Sequence, residues 1–235
     1  MRFNRIFLFL LTFSLILFPL SGCKKAAAAV SEETETGEND FIDKLTFLGD
    51  STTAHMQLRA AVDPSRVWAA KNRYLNLDSR ITYAKIIAPD TGKEELIADV
   101  AARLKPRYLV ITLGIDYGVY YYRDKPDTFR HYYEKLLSSL QTASPETVLI
   151  LQSIFPVGQN CHAITKEMVQ NANRIIRKIA DARGLLYVDQ TPVLANEAGY
   201  LREEFCYSED GLHLTAAAYS AILSHLSKSE NEIRG

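Results

Sequence analysis

The chain has 235 residues, of which 47% are hydrophobic and 23% charged, a balance typical of a soluble globular domain with a sizeable core. Its formal net charge of −1 leaves no basic excess to neutralise phosphates, which argues against a nucleic-acid binder. Neither figure distinguishes an enzyme from a binding protein, so that distinction depends on particular residues.

The first residues indicate a secretory signal peptide. Arg2 and Arg5 precede an apolar run over residues 6–20, and small residues follow it. The alternative is a transmembrane anchor, but the run is shorter than the roughly 20 residues needed to cross hydrocarbon, and Pro19 interrupts it. We therefore predict a signal peptide over residues 1–22.

The end of this segment, Leu20-Ser21-Gly22-Cys23, resembles the lipobox of bacterial lipoproteins. The resemblance implies that Cys23 is acylated and anchors the protein to the extracytoplasmic face of the cell membrane. Residues 23–40 are rich in alanine and acidic residues and offer few side chains for a core, which predicts a disordered tether. A single domain is predicted over residues 41–235.

Short apolar runs alternate with helical periodicity along this domain. The predicted strands cover residues 45–48, 108–113, 148–151 and 185–188, and the predicted helices cover residues 54–61, 94–104, 127–140, 165–182 and 216–226. Gly184 is expected to end the fourth helix, and Thr215 is expected to cap the last one at its N-terminus. The order predicts βαβ units in an α/β fold, a three-layer α/β/α sandwich with a central parallel sheet. In such sheets ligands bind at the carboxyl ends of the strands.

A nucleophile candidate follows the first strand directly, in Gly49-Asp50-Ser51. A serine in a tight turn between a strand and a helix exposes its hydroxyl, while its backbone N–H lies at the helix N-terminus. The alternative is that Asp50 or Ser51 simply caps a helix.

A second candidate pair, Asp210 and His213, precedes the last helix. A serine needs an imidazole to accept its proton, and a carboxylate must hold that imidazole in the right tautomer. The alternative is a structural histidine. The other histidines lack the spacing of metal ligands, so we expect no metal and no cofactor.

Together with Gly114-Ile115-Asp116, these two segments resemble the conserved blocks of the SGNH/GDSL hydrolases, in the same order along the chain. The resemblance implies the flavodoxin-like SGNH hydrolase fold and a serine esterase or acylhydrolase. It implies Ser51 as the nucleophile, His213 as the general base and Asp210 as its orienting partner. The Ser51 backbone N–H would be one donor of the oxyanion hole.

Two positions depart from that family. Asp116 stands where the family has an asparagine, and an ionised carboxylate accepts hydrogen bonds instead of donating them to an oxyanion. It would help only in its protonated form, or if it were turned away to another partner. The chain has no glycine between Gly49 and Gly92 to provide the family's second backbone donor, so that donor is assigned to a residue near Asn72.

Cys161 and Cys206 remain once Cys23 is set aside. In an oxidising compartment they form either a disulfide or two separate free thiols.

The leading functional hypothesis is hydrolysis of acyl esters on a cell-envelope or extracellular substrate, with an O-acetylated glycan as first choice. Tyrosines at 117 and 120–122 either line the mouth of the cleft, where their flat faces suit sugars, or pack a surface loop. The alternatives are an O-acyltransferase and a carbohydrate-binding surface lipoprotein that kept the fold and lost the activity. The protein is expected to be a monomer with an acylated carbohydrate or other small ester as its partner.

Overall fold

The computed structural model describes residues 41–60, 62–207 and 209–234, and within them a parallel five-stranded sheet is flanked by helices. The strands, in chain order, are β1 (Leu45–Gly49), β2 (Val67–Trp68), β3 (Lys85–Ile87), β4 (Glu94–Leu96), β5 (Tyr108–Thr112), β6 (Val148–Gln152) and β7 (Leu186–Val188). The main sheet has the order β2-β1-β5-β6-β7, and β3 pairs with β4 in a separate antiparallel hairpin. The α/β fold class predicted from the sequence is confirmed.

The helices follow the strands in alternation. In chain order they are α1 (Ser51–Ala54), α2 (Met56–Arg59), α3 (Ile97–Leu104), α4 (Pro126–Ala143), α5 (Lys166–Arg183), α6 (Thr191–Leu194), α7 (Ala216–Lys228) and α8 (Glu230–Arg234). Short 3-10 turns lie at Pro64–Arg66, Ile81–Tyr83 and Glu203–Phe205. The predicted caps are confirmed, since the Thr215 side chain accepts from Ala218 N–H and Gly184 ends α5 with φ 62°.

The sheet is buried on both faces, which explains why its strands read as continuous apolar runs. The sheet separates two hydrophobic core clusters, and alternate residues of β5 belong to different ones. Leu109 and Ile111 belong to the first, with residues of α3, α4 and α5, whereas Tyr108 and Val110 belong to the second, with residues of α7. Trp68 is 2% exposed and belongs to the first cluster, so it is a core residue. These two layers hold the strand ends, and therefore the loops after them, in fixed positions.

The predicted helix at 94–104 is wrong in its first turn. Glu94–Leu96 forms β4 instead, paired with Lys85–Ile87, and the helix begins only at Ile97. The periodicity of the leucine and isoleucine positions did not reveal the hairpin because neither of its three-residue strands carries an alternating apolar pattern.

Other elements also differ from the prediction. The helix expected at 54–61 is a pair of single turns, α1 and α2, which meet at His55. Helix α4 begins one residue earlier, at Pro126, because proline is favourable in the first turn. The two-residue strand β2 was not predicted.

The predicted signal peptide, Cys23 and the tether lie outside the described residues. Among the helices of the described residues, none is both long and apolar enough to span a membrane.

Candidate active site

Three loops meet at the carboxyl end of the sheet, where the topology rule places ligand sites. Ser51 follows β1, Asp116 follows β5, and the loop with Asp210 and His213 follows the last strand and precedes α7. Strands β1 and β5 are direct neighbours, with Gly49 opposite Thr112, so the loops after them are also adjacent. The sequence predicted all four side chains, and the structure brings them into one region.

Ser51 is the first residue of α1, and its side chain is only 6% exposed. Position 49, two residues before Ser51, needs a glycine because its neighbours leave no room for a side chain, and not because of an unusual φ. A Cβ at this position would lie 2.1 Å from the carbonyl oxygen of Thr112 and 2.2 Å from Thr53 Oγ1. The absence of a side chain therefore lets β1 and the nucleophile turn pack directly against β5.

The Asp116 carboxylate covers Ser51. The Ser51 hydroxyl donates to Asp116 Oδ1 at 2.6 Å, and the Ser51 backbone N–H donates to Asp116 Oδ2 at 2.8 Å. That backbone N–H is the predicted oxyanion donor, and it is already occupied. Burial raises the pKa of Asp116 above its ordinary value, while the two bonds from Ser51 and the nearby His213 act in the opposite direction.

Asp50 holds the segment that carries Asp116. Its side chain is buried, and its Oδ2 atom accepts hydrogen bonds from the backbone N–H groups of Gly114 and Ile115, at 2.9 and 2.8 Å. Burial, and after it the charge of Asp116, raises the pKa of Asp50 to about 7. Two neighbouring carboxyl groups thus both resist ionisation, and Asp50 positions the residue that contacts the serine.

The predicted base and its partner are hydrogen bonded. His213 Nδ1 lies 2.6 Å from Asp210 Oδ2, and Asp210 Oδ1 accepts the backbone N–H of Leu212 at 2.8 Å. Donation from Nδ1 to the carboxylate leaves His213 Nε2 available to accept a proton. In the described part of the chain, however, the Ser51 hydroxyl is hydrogen bonded to Asp116 and not to His213.

His55 is a neighbour of the site that sequence reasoning missed. Its ring centroid lies 4.4 Å from that of His213, and its backbone N–H donates to the Ser51 carbonyl. Burial, together with the electrostatic effect of the neighbouring His213, Arg59 and Arg73, lowers the pKa of His55 to about 4. His55 is therefore neutral near pH 7 and packs against the predicted base. The four-residue spacing from Ser51, one helical turn, was the available signal.

Arg59 fixes the loop that carries His213. Its guanidinium lies 3.3 Å from the ring centroid of Tyr207 and donates to the carbonyl of Leu214 at 3.2 Å. These contacts join α2 to both sides of the His213 loop, which limits the positions that the imidazole can take.

The geometry agrees with comparisons to known proteins. The model of the GDSL-like lipase/acylhydrolase family matches residues 47–221, which include Ser51, Asp116, Asp210 and His213. The chain belongs to this family. A search of curated proteins finds no match.

Solved structures share the fold of this acylhydrolase domain. A GDSL-like lipase from Bacteroides thetaiotaomicron is 16% identical, over 82% of this chain and 90% of its own, with a TM-score of 0.51. A family 3 carbohydrate esterase from Talaromyces cellulolyticus is 14% identical, over 81% and 97%, with a TM-score of 0.50. An acetyl xylan esterase is 14% identical, over 79% and 98%, with a TM-score of 0.51. At these identities the likeness establishes the fold.

The second oxyanion donor of this GDSL-like domain remains a prediction. Asn72 is exposed, and its side chain accepts from the backbone N–H of Tyr74 at 3.1 Å. No hydrogen bond joins Asn72 to Ser51 among the residues that the structure describes. The next residue, Arg73, has φ 66°, a left-handed conformation that favours glycine. Its own N–H already donates to Ala70.

The structure does not contain the disulfide considered for Cys161 and Cys206, because Cys161 is a free thiol. A Cβ on Gly211, within the loop that carries Asp210 and His213, would lie 3.0 Å from the Cys161 Cβ. Cys161 therefore packs closely under the loop of the base without a covalent bond.

Of the tyrosines after Asp116, some pack against neighbouring rings and some are exposed to solvent. Tyr117 stacks on Tyr121 with ring centroids 4.1 Å apart, and Tyr122 is half-buried. Tyr120 and Tyr121 are 43% and 54% exposed. The sugar-binding hypothesis needs exposed aromatic rings after Asp116, and Tyr120 and Tyr121 are the exposed ones, although one face of Tyr121 is covered by Tyr117.

Proposed function

We propose that this protein is a serine esterase that removes acyl groups by way of a covalent acyl-enzyme. The observation that carries the proposal is the 2.6 Å hydrogen bond between His213 and Asp210 in a loop at the same sheet edge as Ser51. Membership of an acylhydrolase family supports the same reaction class.

In the proposed mechanism, Ser51 Oγ attacks the carbonyl carbon of the ester while His213 Nε2 takes the hydroxyl proton. The tetrahedral intermediate collapses, the alcohol leaves with the proton from His213, and the acyl group stays on Ser51. Water then attacks the acyl-enzyme with His213 again as base, and the carboxylic acid is released. Asp210 stabilises the imidazolium that forms in each half of the reaction.

The role of Asp116 depends on its protonation. As a carboxylate it holds the Ser51 N–H and hydroxyl, and its charge opposes an oxyanion at the same position. As a neutral acid it has one O–H to donate, which would replace the amide donor of the family's asparagine. We propose that the neutral form is the active one. Burial of Asp116 favours this form.

The proposed substrate is an O-acetylated glycan of the cell envelope or the extracellular space. Two of the structural neighbours are named as a carbohydrate esterase and an acetyl xylan esterase, and the exposed Tyr120 and Tyr121 lie a few residues after Asp116. Aromatic faces suit the apolar faces of sugar rings. The predicted acylation of Cys23 would keep the enzyme at the membrane surface, close to such a polymer.

A second candidate function is carbohydrate binding without catalysis. The carboxylate of Asp116 on Ser51 favours it, because this contact both occupies the hydroxyl and fills the oxyanion position. An acyltransferase differs from the esterase only in the group that attacks the acyl-enzyme.

A fluorophosphonate probe separates these functions. Detergent-solubilised protein is labelled as wild type and as the variants Ser51→Ala, His213→Ala and Asp116→Asn. An esterase gives labelling of wild type or Asp116→Asn that is lost in Ser51→Ala and reduced in His213→Ala. Absence of labelling in both folded wild type and Asp116→Asn would refute the esterase proposal and favour the binding protein. Release of acetate from acetylated xylan, measured on unlabelled samples of the same proteins, tests the substrate class.

A further inference from the structure

A cavity lies between α4, α5 and the segment that follows Asp116. Its volume is about 330 Å³. Its floor is apolar and is formed by Val119, Phe129, Met168, Ala172 and Ile175. Around this floor stand four basic side chains and one acidic one: Arg123, Arg130, Arg174, Lys178 and Asp127.

The local charge is not explained by the composition of the chain. The whole protein has 27 basic and 28 acidic residues, whereas the charged groups of this cavity are four to one in favour of the basic ones. On α5 the lining residues Asn171, Arg174 and Lys178 are spaced by three and four positions, which places them on one face of the helix.

Within the described residues, three of these basic groups form no ion pair: Arg130, Arg174 and Lys178. Arg174 instead donates to the side-chain oxygen of Asn171, which leaves Arg130 and Lys178 as the two unpaired charges. Arg123 contacts Asp124 at 3.4 Å, but that carboxylate is 83% exposed. The cavity therefore retains positive charge that an anionic ligand could neutralise.

The cavity adjoins the segment that follows Asp116. Its wall residue Val119 is three positions after Asp116, so the two Cα atoms are at most about 11 Å apart. Between them the chain turns tightly, since Val119 N–H donates to the Gly114 carbonyl at 2.9 Å. Arg123 lies 4.6 Å from the exposed ring of Tyr120 and donates to its carbonyl, which joins the tyrosine surface to the cavity.

We propose that this cavity binds the anionic group of an acidic sugar, a carboxylate or phosphate carried by the acylated glycan, and so selects acidic over neutral substrates. The proposal rests on the esterase function for its biological context. Arginine guanidinium groups match carboxylate and phosphate oxygens, and the apolar floor contacts the body of the sugar that carries them.

Binding is measured by isothermal titration calorimetry on full-length Ser51→Ala protein in detergent, so that the readout does not depend on catalysis. The probes are hexagalacturonate for the carboxylate, glucose 6-phosphate for the phosphate, and maltohexaose as the neutral sugar. Arg130→Gln/Lys178→Gln removes the two unpaired charges of the cavity. The matched control, Lys135→Gln/Lys228→Gln, removes two charges from α4 and α7 outside it.

We expect tighter binding of at least one anionic probe than of maltohexaose, and a loss of about tenfold or more in the cavity variant but not in the control. Preference for hexagalacturonate identifies a carboxylate, and preference for glucose 6-phosphate identifies a phosphate. Equal binding of acidic and neutral probes, or equal losses in the two double variants, would overturn the proposal. If the anion binds but neither wild type nor Asp116→Asn labels with fluorophosphonate, the esterase function fails while the anion site stands.

Discussion

Asp116→Asn tests this interpretation of the site most directly, because it replaces one carboxylate oxygen by an NH2 group and removes one charge. In the wild type the Asp116 carboxylate accepts the Ser51 hydroxyl at 2.6 Å and the Ser51 N–H at 2.8 Å. An asparagine amide is neutral and has two N–H donors, so it can turn a donor towards the oxyanion and leave the Ser51 N–H free. We therefore expect the substitution to raise esterase activity at pH values where Asp116 is ionised.

The size of the effect follows from the donors involved. Loss of one oxyanion donor typically slows acyl transfer about a hundredfold to a thousandfold. Ionised Asp116 denies the site both its own donor and the Ser51 N–H, but the wild type recovers activity through the fraction of Asp116 that is protonated. The gain in kcat/KM is accordingly expected to be about tenfold to a hundredfold at pH values where Asp116 is mostly ionised. It should shrink as the pH is lowered, because more of the wild type is then protonated.

The assay is the hydrolysis of 4-methylumbelliferyl acetate between pH 5 and 9, since kcat/KM reports ionisations of the free enzyme. Asp210→Asn is the matched control. It makes the same chemical change at the carboxylate that supports His213, and it should lower activity at all pH values. A folded Asp116→Asn protein that is less active than wild type across the range would refute the reasoning. Asp116 would then act as a base for Ser51 in its ionised form.

Three further substitutions test the framework around the site. The pKa of Asp50 is raised from 3.8 to about 7 in the folded protein, so the free energy of unfolding should fall as the pH rises between these two values. Urea titrations should show a smaller fall for Asp50→Asn. Tyr219→Phe should lower the free energy of unfolding by about 1–3 kcal/mol, because the buried Thr52 carbonyl loses its 2.6 Å donor. Gly49→Ala should lower Tm sharply in thermal scans, because the new Cβ would lie 2.1 Å from Thr112 O.

Each of these three predictions has an outcome that would contradict it. A pH slope in Asp50→Asn equal to that of wild type would mean that Asp50 keeps an ordinary pKa in the fold. Tyr74→Phe, at a residue that is 58% exposed, is the control for Tyr219→Phe, and equal effects would exclude the buried hydrogen bond as the cause. A fully stable Gly49→Ala protein would show that β1 and β5 can move apart at this point.

The sequence predicted the fold through features that act locally. Continuous apolar strands and helical periodicity indicated the alternation, and Gly184 and Thr215 marked the helix ends where the structure has them. The hairpin of β3 and β4 was not predictable in the same way. Its three-residue strands gain their order by pairing with each other, which a periodicity within either strand does not indicate.

The residues of the site could be predicted from the sequence, but the contacts between them could not. The position of Ser51 after the first strand and the spacing of Asp210 and His213 indicated which side chains converge. The sequence left three outcomes for Asp116: protonated, turned away, or opposed to the oxyanion. Only the fold reveals that it lies on Ser51, because that contact depends on the neighbouring ends of β1 and β5. His55 was missed for the same reason, since its role depends on contact with a loop 158 residues away in sequence.

The replacement of an asparagine by an aspartic acid changes a permanent donor into one that titrates. In the proposed mechanism His213 must be neutral to accept the Ser51 proton, and Asp116 must be protonated to donate to the oxyanion. Raising the pH removes the second condition. Burial raises the pKa of Asp116 and favours its protonated form, whereas the two bonds from Ser51 and the nearby His213 oppose it. The burial of Asp116 is therefore part of the catalytic design of this esterase as we propose it.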